Sequence, residues 1–162
     1  MTDNKKWVYG RDVVNETIGR LMIPFIQLFA LYVIIHGASG PGGGFQGGVI
    51  LAASFVLYLV IFGLAAAGKR FPERANNYLM STGVYLYAGV GLLCIIITLG
   101  AAQFLNYGFL PLTHMFEENR ALGIDIVEIG IGITVCAVIT EIFFNLVWKK
   151  EDETESGKEG GH

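Results

Sequence analysis

The stretch His36-Gly37-Ala38-Ser39-Gly40-Pro41-Gly42-Gly43-Gly44-Phe45-Gln46-Gly47-Gly48 decides how the chain is read. It holds seven glycines and one proline in thirteen residues, between an apolar run over 18–35 and another over 49–67. Glycine serves where backbone takes a positive φ or comes very close to another group. Pro41 fixes one φ and removes one N–H donor. The pattern predicts a tight, shaped connection between two membrane-crossing helices. Two roles stay open for it: a plain hairpin, or a functional loop that dips back into the protein. A phosphate-binding loop is excluded, because no Gly-Lys-Ser/Thr follows and no strand precedes it. A run of successive N–H groups still suits an anion or a water-filled passage.

Composition agrees with a membrane setting. The chain has 162 residues, 53% of them hydrophobic, and a net charge of −3 that comes largely from its last dozen residues. Its apolar runs of about 20 residues are long enough to cross a hydrocarbon layer of ~30 Å. The expected fold is an all-α integral membrane protein with four transmembrane helices, at about 18–36, 46–68, 78–102 and 122–148. Residues 1–17 read as an interfacial segment, with Trp7 and Tyr9 at headgroup level. Residues 149–162 read as a disordered acidic tail, low in apolar residues and high in charge. The first run is too long for a signal-peptide core and is expected to be retained. Cys94 and Cys136 lie inside apolar runs and read as small buried side chains, not as a disulfide or a metal pair. Gly44, Gly48 and Ala52 stand four apart, as do Gly63 and Ala67, and Gly83, Gly89 and Gly91 follow in the third helix. Small residues so placed let helices approach closely in lipid. Ser81, Thr82 and Thr98 are expected to bond back to their own helix. No basic stripe suits nucleic acid. No cofactor motif, metal-ligand spacing or paired nucleophile and base is present, so enzyme chemistry is not expected.

Topology follows from the basic residues. Lys5, Lys6, Arg11 and Arg20 precede the first helix; Lys69, Arg70 and Arg74 lie between the second and third; Lys149, Lys150 and Lys158 follow the fourth. Only Arg120, of eleven basic residues, falls on the other side. The positive-inside rule then puts both termini in the cytoplasm and the glycine loop outside.

Four titratable groups are candidates for ion traffic. His36 ends the first helix at the glycine loop, and serves either as a proton relay or as a cap on the last helix carbonyls. Asp125 and Glu128 are three apart and share a helix face; they line an ion path, or they simply mark the outer N-terminal end of the last helix. Glu141 lies ~10 Å inside an anchor at Trp148. A carboxylate at that depth is costly, on the order of 3 kcal/mol, and must face protein or water, find a partner or stay protonated. No Lys or Arg of this chain lies at that depth, so Glu141 serves either the ion path or a hydrogen-bonding contact with a neighbouring subunit. Four helices without an inverted repeat do not make an obvious transporter. The chain reads as part of a larger assembly.

The string His36-Gly37…Pro41-Gly42-Gly43-Gly44-Phe45-Gln46-Gly47-Gly48 resembles the signature of the MnhB family, the B-type components of multisubunit (Mrp-type) Na+/H+ antiporters. The segment Gly123-Ile124-Asp125-Ile126-Val127-Glu128-Ile129-Gly130 is similar to the acidic, glycine-bearing start of that family's last helix. The resemblance covers about residues 18–148. It implies a small subunit in a prokaryotic inner-membrane complex that exchanges Na+ for H+, with other antiporter subunits and membrane lipid as partners. Related modules occur in membrane-bound hydrogenases and other complex I-like assemblies, so a redox-linked complex is the alternative, and a purely structural scaffold the second. On that footing Gly37, Pro41, Gly42, Gly43, Gly44, Phe45, Gly47, Gly48 and His36 are carried over as motif positions. Asp125, Glu128 and Glu141 rest on burial alone.

Overall fold

A computed structural model describes the backbone of residues 4–37, 40, 42–98, 104–109 and 115–159. These residues are helical almost throughout: α1 (Asn4–Ile35), α2 (Gly44–Phe62), the short α3 (Leu64–Arg70), α4 (Glu73–Ile97), a 3-10 turn at Tyr107–Phe109, and α5 (Phe116–Glu159). Four segments are long and apolar enough to cross a membrane: Val13–Ile35, Gly44–Phe62, Glu73–Ile97 and Phe116–Lys149. In that solvent the helix is one of the few solutions, because every backbone N–H and C=O must be satisfied inside the segment.

α2 packs against α1 on one side and α5 on the other, and α5 carries α4 on its far flank. Glycines set these contacts. A Cβ on Gly48 would come within 2.7 Å of the Gly132 carbonyl oxygen of α5, and one on Gly47 within 2.8 Å of the Ala30 carbonyl oxygen of α1. Successive glycines thus serve two different partners, since residues 100° apart on a helix face different neighbours. Gly83 does the same between α4 and α5, where a Cβ would meet the Gly130 carbonyl oxygen at 2.5 Å. A Cβ on Gly89 would meet nothing within 4 Å among the described residues. Ser81, Thr82 and Thr98 hydrogen-bond to the carbonyls four residues back, as expected. Cys94 and Cys136 are free and buried.

The helix bounds differ from the sequence reading in instructive ways. α1 starts at Asn4, so the segment read as interfacial is helical ahead of the span at Val13–Ile35, and the helix continues through Pro24. The second helix does not run unbroken to Gly68. It stops at Gly63, whose φ of +81° suits glycine, and resumes as α3. Gly63 is a break rather than a packing residue. α4 begins at Glu73, five residues early, after Pro72 in an extended conformation, which favours a helix start just beyond it. α5 begins at Phe116, so Arg120 belongs to the helix rather than to a loop. At its other end α5 continues past Trp148 to Glu159, through the segment expected to be disordered. A formed helix extends at little cost per residue, and Glu and Lys extend it well.

Candidate functional site: carboxyls beneath the glycine loop

The described glycines at the two ends of the stretch, Gly37, Gly43 and Gly44, lie against Glu128. His36 and Gly37 end α1 in a turn, with the Gly37 N–H donating to the Ile34 carbonyl at 3.4 Å. Gly42 takes a φ of +144°, and α2 begins at Gly44. The Glu128 carboxyl of α5 lies against this turn from inside. A Cβ on Gly37 would overlap the carboxyl, and one on Gly43 would sit 3.2 Å from its Oε1. A Cβ on Gly44 would overlap the Glu128 backbone. Three of the motif glycines are therefore small because Glu128 and its backbone occupy the space. Both ends of the glycine stretch therefore pack on α5.

Asp125 lies one turn from Glu128 on α5. Each carboxyl has a buried oxygen, Asp125 Oδ1 and Glu128 Oε2, that finds no hydrogen-bond partner among the described residues. The first-turn acids of α5 are Glu117 and Glu118. Asp125 and Glu128 lie about 13 and 18 Å along the helix from its start at Phe116, at 1.5 Å per residue. This removes the reading in which they mark the helix end. A buried carboxyl oxygen left unpaired costs several kcal/mol unless a proton, a water or a cation reaches it.

The other candidates fall elsewhere. The His36 ring stacks on Tyr32, with centroids 4.2 Å apart, and is exposed. No carboxylate lies within 4 Å of it among the described residues. Phe45 points outward at 62% exposure, away from the glycine packing beside it. Gly47 and Gly48 serve helix packing, and Pro41 lies outside the described residues.

Glu141 sits towards the opposite end of α5, three to four turns from Glu128, and it has a partner within the chain. Asn76 of α4, only 1% exposed, donates its amide Nδ2 to Glu141 Oε2 at 2.7 Å and to the Ala137 carbonyl at 3.0 Å. Asn145 donates to Oε1 at 3.3 Å. Glu141 thus has hydrogen-bond donors within the chain itself, where the sequence reading found no cation at its depth. A third helix beginning at Tyr78 leaves Asn76 in the connecting turn; the observed start after Pro72 puts it one turn inside, facing α5. Asn76 Oδ1 is itself buried with no partner among the described residues. Glu141, Asn76, Thr140, Glu73 and Lys69 line one cavity of about 430 Å³ near the α3 turn.

The arrangement is that of a polytopic membrane protein that keeps acidic oxygens unpaired inside its helix packing. Comparison with known proteins agrees. The family profile described as "Domain related to MnhB subunit of Na+/H+ antiporter" matches residues 14–141. The chain is 31% identical over 144 residues to the B component of the Na(+)/H(+) antiporter of Bacillus subtilis (strain 168), covering 80% of this chain and 94% of that protein. It is 28% identical over 140 residues to the B component of the Na(+)/H(+) antiporter of Alkalihalophilus pseudofirmus, covering 82% and 94%. It is 26% identical over 141 residues to a putative antiporter subunit mnhB2 of Staphylococcus epidermidis, covering 83% and 94%. The chain belongs to the MnhB family of antiporter subunits.

Proposed function

We propose that this chain is the small B-type membrane component of a multisubunit Na+/H+ antiporter in a prokaryotic inner membrane, and that it lends carboxyls to ion passage. The family supports the first half. The second half rests on one observation: the buried, unpartnered oxygens of Asp125 and Glu128 beneath the glycine loop. Carboxyl oxygens take up either a proton or a hard cation such as Na+. Glu128 and Asp125 lie towards the loop end of α5, and Glu141 with Asn76 towards the α3 end. On this reading the two sets serve the two halves of the bilayer. The basic residues put both termini and the Glu141 end in the cytoplasm, and the glycine loop outside. Neighbouring subunits complete the path, since four helices without an inverted repeat offer no alternating access of their own.

The test deletes this gene in frame from the complete operon in a strain lacking other Na+/H+ antiporters. Growth in high Na+ and Na+-dependent collapse of ΔpH in everted vesicles are then measured. The expected result is loss of both, their return when the gene is supplied in trans, and co-purification of the other subunits with a tagged copy. Exchange that persists without the gene would overturn the proposal.

A further inference from the structure

A second cavity lies away from all of these acids. It has a volume of about 370 Å³ and sits between the first turns of the α1 span and the end of α2 with α3. Arg20, Pro24 and Gln27 line it from α1, Tyr58 and Phe62 from α2, and Arg70 from α3. No carboxylate lines it among the described residues. The two arginines bracket a pair of rings. Arg20 Cζ lies 5.6 Å from the Phe62 centroid, the Phe62 and Tyr58 centroids are 4.5 Å apart, and Arg70 Cζ lies 5.8 Å from the Tyr58 centroid. Stacking on an aromatic face orients a guanidinium while leaving its N–H edge free to donate.

We infer that this cavity binds the phosphodiester headgroup of an anionic phospholipid. Three observations fix the ligand class. The lining charge is positive; among the described residues the carboxylate paired with Arg20 is Glu16, a turn outside the cavity and 3.6 Å away, and Arg20 itself is 72% exposed. An exposed pair of that kind holds little energy and leaves the guanidinium available. The arginine fork matches phosphate oxygens, and Gln27 and Tyr58 add neutral donors. The cavity also opens along apolar helix surface. Leu28 and Leu31 stand one turn beyond Pro24 and Gln27 on α1, at 67% and 48% exposure, where acyl chains lie once the headgroup is seated. A soluble anion or an acidic peptide would have no use for that surface. The cavity lies at the membrane edge that carries ten of the eleven basic residues, the leaflet side on which basic pockets between helices hold anionic headgroups.

The experiment uses the whole complex reconstituted in phosphatidylcholine vesicles containing a photoactivatable phosphatidylglycerol. Labelling of this chain is mapped by peptide mass. The expected adducts fall on α1 around residues 20–31 or on α2 around 58–62. The Arg20→Gln/Arg70→Gln variant should lose about tenfold or more of this label, as two basic contacts imply. Arg20→Lys/Arg70→Lys keeps the charge and should retain much of it, and native gels check that both variants assemble. Unlabelled phosphatidylglycerol should compete, and added phosphatidylcholine or inorganic phosphate should not. Equal labelling of wild type and the double Gln variant would overturn the inference. So would competition by phosphatidylcholine, which would mean unspecific boundary lipid, or by inorganic phosphate, which would mean a soluble-anion site. Should the double Gln variant fail to assemble, the competition arms on the wild-type complex decide alone.

Discussion

Gly37 shows how one residue can be small for the sake of a distant one. Its missing side chain makes room for a carboxyl ninety-one positions further along the chain. Gly37→Ala should therefore act through Glu128, pushing the carboxyl aside at a cost of ~1–3 kcal/mol. The check is the exchange rate of the assembled complex, which should fall although Gly37 itself is uncharged; an unchanged rate would argue that the carboxyl moves freely. Asn76 is the second informative residue. Asn76→Ala removes the buried donor of Glu141, and leaving its Oε2 without that bond should cost ~1–3 kcal/mol. The detergent-solubilised complex should melt at lower temperature, while Asn145→Ala, removing the longer and exposed bond, should have little effect. Of these residues, Glu128 and Glu141 are legible in the sequence, because a carboxylate within an apolar run is conspicuous. Asn76 is not, because an uncharged amide beside a charged turn carries no such signal.

Among the helices, hydropathy finds all four spans but not their ends. Composition marks where a segment is apolar, whereas the end of a helix depends on local backbone. α4 starts after Pro72 and α2 breaks at Gly63, two residues that punctuate rather than change hydropathy. Nor does a helix that is apolar all round reveal which face meets which neighbour. That is why Gly44 and Gly48 are legible as packing residues, while their division of labour with Gly47 is not. Gly63→Ala should strain the φ of +81° and cost ~1–2 kcal/mol, with no steric clash, since nothing lies within 4 Å of its Cβ position. Gly48→Val, by contrast, meets α5 backbone and should prevent this chain from accumulating in the membrane. Quantifying both variants by immunoblot of membrane fractions separates backbone strain from lost packing.

Across the whole molecule, two polar sites lie on α5, one by the glycine stretch and one by the α3 turn, separated by apolar packing around Cys136 and Ala137. Four helices around such a pair fit a contribution to a path that neighbouring subunits complete. The charge distribution adds an orientation. Single cysteines placed at Gly40 and after Glu159, in a chain with Cys94 and Cys136 replaced by serine, should react from opposite sides of intact cells. Gly40 is expected to be open to an impermeant maleimide outside, and the C-terminal position only after permeabilisation. The account as a whole turns on Glu128. Na+-driven ΔpH collapse should be recorded in everted vesicles carrying the complete complex with Glu128→Gln, an almost isosteric change that removes the titratable group and keeps the packing under the loop. The account predicts an assembled complex whose exchange is lost or reduced about tenfold or more, as for removal of a group that carries charge in transit. Exchange at the wild-type rate in that assembled complex would contradict it, and would make this chain a scaffold.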